Sequence, residues 1–149
     1  MIVVNRTNIA IEHLLRSAVS DYNPDGLIVE VKYCPRGSRR YCSGTYYRRC
    51  RSYEEGRFIR LRINGTNRYP LDISFKTSEY IRKKKRNGET SVLQVLRKVT
   101  VSRPEDLLLA VFLHEFSHYL DHVQGLKGAY KQTKADKFAL EHCERLGIV

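Results

Sequence analysis

Two histidines four residues apart, with a glutamate directly after the first, form the segment "HEFSH" at residues 114–118. On a helix, side chains at positions i and i+4 lie one turn apart on the same face. His114 and His118 can therefore bind one Zn²⁺ ion, while Glu115 is displaced round the helix and lies beside the metal. A carboxylate in that place can take a proton from an activated water and pass it to a leaving amine. The pattern predicts a zinc-dependent peptidase with Glu115 as general base.

A catalytic zinc site also needs a third protein ligand and an open position for water. His122 lies one further turn along the same helix, and three successive turns of a straight helix do not converge on one ion. A last helix, at about residues 133–146, can fold back against the motif. Asp136 lies in its first turn, nearest the connection, and is the candidate third ligand. The alternative for Asp136 is a capping role with Thr133.

The motif needs a helix beneath it, and residues 102–125 form the clearest helical pattern in the chain. Pro104 suits a first helical turn, and Gly125 can end the helix. The stretch from Leu107 to Leu113 is apolar almost all round, which predicts a helix buried on most sides. A charged end on such a helix is costly unless something pairs with it, so the context favours a metal site over an accidental match.

Three segments before the motif are typical of strands, namely residues 27–34, 41–51 and 57–64. Short turns between them predict a small, mostly antiparallel three-stranded sheet with one wet face. An N-terminal helix with apolar residues at helical spacing precedes the sheet. Residues 77–88 fit a short helix, and residues 91–101 fit a helix at first and a strand later.

The chain has 149 residues, the size of one domain, and we expect residues 1–149 to form a single α+β domain. No apolar run reaches the roughly 18 residues of a membrane span. The first segment, "MIVVNRTN", turns polar after a few residues, unlike a signal peptide. We therefore expect a cytoplasmic protein without a membrane partner.

Positive charge is in excess, with 27 lysine and arginine residues against 16 aspartate and glutamate residues and a net charge of +11. This balance favours a polyanionic partner, nucleic acid first and an anionic membrane second, and the alternative is a basic protein with no such partner. Arginine interleaved with tyrosine on a sheet face suits phosphate contacts and base stacking, and "RKKKR" adds five consecutive basic residues. The alternative is a solvated face with a flexible basic loop. The candidate nucleic-acid contacts are Arg39, Arg40, Tyr46, Arg48, Arg60, Arg62, Lys83, Lys84 and Lys85.

The order of these elements, with "SGTYYR" and "IRLRIN" in two strands and "HEFSH" in the buried helix, resembles the SprT-like zinc metalloproteases. The resemblance covers most of the chain except residues 65–101, and "HEFSH" is its one specific motif. It implies a minimal zincin-like α+β fold with Zn²⁺ as cofactor. His114 and His118 are then zinc ligands and Glu115 the general base. SprT-like enzymes are associated with proteolysis at DNA, which implies DNA-associated protein substrates.

The third ligand departs from that family. SprT-like proteins usually supply a histidine four residues before a phenylalanine on the following helix; Phe138 fits, but Lys134 stands at the histidine position. The segment "QTKADKFA" also resembles ImmA/IrrE-type and HtpX-like gluzincins, where a glutamate stands at the position of Gln132. With both ligands missing, Asp136 either binds the ion itself, which we prefer, or accepts a hydrogen bond from a ligand histidine.

The sequence therefore predicts a zinc metalloendopeptidase that acts on a protein or peptide, with DNA-associated proteins as one substrate class. Two alternatives stay open. One is a non-catalytic nucleic-acid-binding module on a zincin scaffold, and the other is a regulatory peptidase that cleaves one specific partner.

Overall fold

The computed structural model describes residues 1–49, 57–126 and 131–149. Within these ranges it has an α+β architecture with three helices and two sheets. In chain order the elements are β1 (Ile2–Asn5), α1 (Glu12–Ala18), β2 (Leu27–Tyr33), β3 (Cys42–Tyr47), β4 (Arg57–Ile63), β5 (Leu71–Lys84), β6 (Thr90–Val101), α2 (Pro104–Val123) and α3 (Gln132–Arg145).

The first sheet has four strands in the order β1-β2-β4-β3. Strands β1, β2 and β4 are parallel, and β3 runs antiparallel to β4 along one edge. The prediction of a mostly antiparallel three-stranded sheet is therefore wrong. The reason is burial: β2 is buried from Leu27 to Val31 and so takes a central place, whereas β3 is partly exposed and lies at the edge.

Helix α2 packs on this sheet and supplies much of the core. Leu108 and Phe112 of α2 are fully buried, as are Val29 of β2 and Leu61 of β4. Burying one such side chain stabilises the fold by roughly 1.5–3 kcal/mol. Helix α2, which carries the two histidines, is therefore packed firmly against the sheet.

A long antiparallel hairpin of β5 and β6 forms the second sheet. Its root is anchored in the core by Phe75 and Val101, while the half beyond a register shift between Lys76 and Tyr80 is exposed. The interpretation of residues 77–88 as a helix is wrong, and residues 91–101 are strand throughout. Isoleucine, valine, threonine and tyrosine favour strands, and these residue types in β5 and β6 explain why the segments are strands and not helices.

The other predicted elements are confirmed, since α1, α2 and α3 lie in the segments that the sequence assigns to helices. The predicted strands at 27–34 and 57–64 correspond to β2 and β4, and β3 occupies most of 41–51, of which residues 50–51 lie outside the described part. Strand β1 is too short to give a clear alternation. Among the described residues, no helix has both the length and the apolar character needed to cross a membrane.

Candidate active site

Helix α2 carries His114 and His118 one turn apart on a half-buried face. The Nε2 atoms of the two rings lie 3.3 Å apart. Two nitrogens bound to a tetrahedral zinc ion at about 2.0–2.1 Å are themselves about 3.3–3.4 Å apart. The two rings thus have the spacing that one shared Zn²⁺ ion requires. The same distance also allows a hydrogen bond between them.

Asp136 lies on the other side of the His114 ring. Its Oδ1 atom is 2.6 Å from Nδ1 of His114, and its Oδ2 atom accepts a hydrogen bond from the backbone N–H of Lys76 at 2.7 Å. A proton on Nδ1, held by Asp136, leaves the Nε2 lone pair free for a metal. Asp136 therefore lies where the alternative interpretation expects it, behind a candidate ligand, and not beside the Nε2 pair where direct coordination would need it.

Burial and neighbouring charges act differently on the two imidazoles. Burial alone lowers the pKa of His114, but the hydrogen bond to Asp136 and the charges of Glu115 and Asp136 outweigh it, so this pKa is raised. Burial, followed by the effect of His114, lowers the pKa of His118. His118 is thus the imidazole that stays neutral to lower pH.

Gln132, the first residue of α3, is the third side chain at the Nε2 pair. Its amide nitrogen lies 3.5 Å from Nε2 of His118. Half a turn of the amide group places the carbonyl oxygen there instead, and that oxygen is an acceptor. In the described part of the chain, no group of three His, Cys, Asp or Glu side chains is arranged to hold a metal ion. The set at this place is two imidazoles and one amide.

Glu115 lies between α2 and the edge strand β3, where only 8% of its surface is exposed. Gly44 makes this approach possible, because a Cβ at that position would lie 2.6 Å from Val111 Cγ1 and 2.9 Å from Glu115 Oε1. Burial raises the pKa of Glu115, against the opposing effects of His114 and of a hydrogen bond from the backbone of Tyr46. A raised pKa brings the carboxylate closer to the range that suits a general base near neutral pH.

A cavity of about 430 Å³ opens beside Glu115 and His118. The phenol oxygen of Tyr46, a β3 residue, lies 2.6 Å from Nδ1 of His122 at this cavity. Helical spacing places His122 one turn too far along α2 to share an ion, and nothing local in the sequence indicates its contact with β3. The cavity has a largely polar lining that includes Arg48, Asp121, His122, Lys131 and Gln132.

Asp121 ties the end of α2 to the start of α3. Its Oδ1 atom accepts a hydrogen bond from the ammonium group of Lys134 at 2.7 Å, and its Oδ2 atom lies 3.4 Å from that of Lys131. The bond between Asp121 and Lys134 joins two charged groups, which makes it stronger than a hydrogen bond between neutral groups. It holds the first turn of α3, and therefore Gln132, over the histidine pair.

The candidate nucleic-acid residues are spread over several elements of the fold. Arg60 donates a hydrogen bond to the buried Glu30 at 2.9 Å, and its guanidinium lies over the rings of Tyr47 and Phe58. Arg60 therefore has a structural partner, and Arg62 beside it is half-buried.

The other candidate residues are divided among three places. Tyr46 and Arg48 line the 430 Å³ cavity, so Tyr46 faces the histidine site and not a wet sheet face. Arg39 and Arg40 lie in the exposed loop before β3. Lys83, Lys84 and Lys85 are exposed at the hairpin tip.

Comparison of the chain with known protein families, with curated proteins and with solved structures gives no match.

Proposed function

We propose that this protein is a zinc-dependent metalloendopeptidase. The observation that carries the proposal is the 3.3 Å separation of the His114 and His118 Nε2 atoms, with the opposite nitrogen of His114 held by Asp136. A hydrogen bond between the two rings would by itself explain the 3.3 Å distance. It would not explain why the carboxylate of Asp136 holds the opposite nitrogen of His114. Paired imidazoles with a carboxylate partner are a common arrangement of zinc-binding histidines.

His114 and His118 would hold the ion, with Gln132 as a weak third ligand, since the amide oxygen is a poorer donor than a carboxylate. Zn²⁺ bound there would polarise a carbonyl group and lower the pKa of a bound water. Glu115 accepts the proton of the attacking water and delivers it to the leaving amine, and Asp136 keeps His114 in the tautomer whose Nε2 is free.

The edge strand β3 is suited to hold an extended peptide. Tyr41, the residue before β3, accepts a hydrogen bond on its carbonyl oxygen from the backbone N–H of Asn64, the residue after β4. The backbone groups of Tyr41 and of every second residue after it therefore face β4. The backbone groups of Cys42, Gly44 and Tyr46 consequently face the free edge. Gly44 and Tyr46 both lie against Glu115, so a peptide added as a further strand passes the candidate base.

The resemblance to SprT-like metalloproteases, and to a zincin-like fold, agrees with this proposal through "HEFSH" and a buried helix next to an edge strand. Gln132 and Lys134 remain departures from the known third ligands. Relative to a regulatory peptidase with one partner, we favour a broader endopeptidase because the cavity is open and largely polar.

Nucleic-acid binding is a second candidate function, and the hairpin tip is the observation that favours it. Five consecutive basic residues, 82–86, are exposed there. In the described part of the chain, none of the five forms an ion pair. Unpaired basic side chains are free to meet phosphates, which supports DNA-associated proteins as one substrate class.

The test compares metal content and peptide hydrolysis in the purified protein and three variants. Glu115→Gln should keep one zinc per chain and lose about 10²–10⁴-fold in turnover, the usual effect of removing a general base. His118→Ala should lose the zinc. Glu141→Gln, the same change on the exposed face of α3, should behave like the parent. Equal turnover in the parent and Glu115→Gln would contradict the proposal.

A further inference from the structure

A second cavity, of about 180 Å³, meets the candidate active site at His114 and Glu115. Glu115 also lines the larger cavity, so this residue belongs to the walls of both cavities. A chain segment that passes Glu115 along β3 therefore runs beside both cavities.

The walls of the two cavities differ in chemistry. The larger one is rich in charged and polar side chains, among them Arg48, Asp121 and Lys131. The smaller one is mostly apolar, with walls from four elements of the fold: β3, the hairpin root, α2 and, through Asp136, α3. Its apolar lining residues are Cys42, Ile73, Phe75, Ala110 and Val111.

The direction of β3 relates these cavities to a bound peptide. Cys42, at the start of the strand, lines the small cavity, whereas Gly44 and Tyr46 line the large one. A Cβ on Gly44 would point at Val111 and Glu115, so this set of alternate side chains faces α2. In a strand paired with β3, alternate side chains also face α2, and one of them enters the small cavity.

We propose that the smaller cavity is a specificity pocket for one apolar side chain next to the cleaved bond, of the size of leucine, methionine or phenylalanine. This assignment rests on the proposed peptidase function. A dry apolar cavity of about 150 Å³ in another protein holds benzene, so the present volume suits a side chain of that size. Acidic side chains are disfavoured because the wall is mostly apolar and its acidic groups, Glu115 and Asp136, would repel them.

The probes are blocked peptides of alanine with a single central residue X, where X is alanine, leucine, phenylalanine, tryptophan, lysine or aspartate. The zinc-loaded protein should cleave the leucine and phenylalanine peptides at least tenfold faster, as kcat/KM, than the alanine and aspartate peptides. The cut should fall at a fixed bond beside X, as mass spectrometry of the products would show.

Ile73→Ala enlarges the pocket and should shift the preference from leucine towards phenylalanine and tryptophan. Ile81→Ala is the matched control, because it makes the same change on β5 in the exposed half of the hairpin. It should leave the ratios of kcat/KM as they are. Cleavage with no preference for apolar X, or equal ratios in the two variants, would overturn the pocket while the peptidase proposal stands.

If the zinc-loaded protein cleaves none of the peptides, the peptidase proposal fails, and binding then tests the pocket. The leucine and alanine peptides, each with a fluorescent label, are titrated into the Glu115→Gln protein. Tighter binding of the leucine peptide, weakened by Ile73→Ala and unchanged by Ile81→Ala, keeps the apolar pocket. Equal binding of the two peptides rejects it.

Discussion

Asp136 of α3 contacts His114 of α2 at 2.6 Å, and this contact decides which nitrogen of His114 faces the candidate metal site. The other oxygen of Asp136 is held by the backbone of Lys76 at the hairpin root. Three separate elements thus orient one imidazole, which is typical of a ligand that must be kept in a single tautomer.

Asp136→Ala is expected to weaken zinc binding about 10–100-fold without abolishing it, because loss of an outer hydrogen-bond partner has that effect on metal affinity. Competition with a fluorescent chelator measures the affinity. His114→Ala is the comparison and should lose the site. If Asp136→Ala removes zinc as completely as His114→Ala, Asp136 is itself a ligand, as its place in the sequence predicts.

Gln132→Glu should raise zinc affinity about tenfold or more, because an anionic carboxylate replaces an amide beside the Nε2 pair. Gln132→Ala should lower it. Gln124→Glu, at the end of α2, adds the same charge at an exposed position and controls for general electrostatic attraction. Equal affinities in Gln132→Glu and Gln124→Glu would exclude Gln132 from the metal.

The local part of the site could be predicted from the sequence, and the part made by distant elements could not. His114, Glu115 and His118 share one helix, whose geometry follows from spacing alone. The place of Asp136 depends on how α3 crosses α2 and on a backbone donor of the hairpin. The sequence spacing places Asp136 in the first turn of α3 but does not indicate which residue it contacts.

The sheet illustrates the same limit. Alternation in residues 27–34 and 57–64 identifies two strands but does not say that β2 and β4 are parallel neighbours. Tyr46 lies among arginines in the sequence, and this pattern predicts that its side chain is on the solvent-exposed face of the sheet. The real direction of Tyr46 follows from Gly44, which lets α2 lie directly against β3.

Gly44→Ala should reduce peptide hydrolysis at least tenfold and destabilise the fold by about 1–3 kcal/mol, the usual effect of overpacking. The new methyl group would displace Glu115, because it would lie 2.9 Å from the carboxylate oxygen. Gly65→Ala is the control, since its Cβ would meet Tyr33 at an ordinary 3.5 Å. Urea unfolding and kcat/KM measure the two effects. A fully active Gly44→Ala protein would mean that Glu115 tolerates displacement.

Replacing Lys83, Lys84 and Lys85 with glutamine should weaken DNA binding and flatten its salt dependence. Removing one lysine–phosphate interaction reduces the slope of log affinity against log salt by about 0.9 for duplex DNA. Arg16, Lys137 and Arg145 replaced together remove the same charge from the helices and serve as the control. Fluorescence anisotropy over a range of salt concentrations measures the slopes. Equal slopes in both triple variants would assign the effect to net charge and not to the hairpin tip.

Glu30→Gln should destabilise the protein by about 1.5–3 kcal/mol at neutral pH, since Glu30 is buried and bonded to Arg60 at 2.9 Å. Burial raises the pKa of Glu30, but hydrogen bonds from Arg60 and Arg6 outweigh it, so the folded pKa is lowered from 4.5. The ion pair therefore contributes fully above that pH and is lost as the pH falls through the folded pKa.

The stability difference between the parent and Glu30→Gln should accordingly shrink as the pH is lowered below about 4.5, where the parent takes up the proton. Urea midpoints at several pH values, with zinc held constant, measure the difference. Glu89→Gln, at an exposed position near the hairpin turn, should stay within about 0.5 kcal/mol of the parent at every pH. A difference that does not change with pH would mean that Glu30 acts through packing and not through its charge.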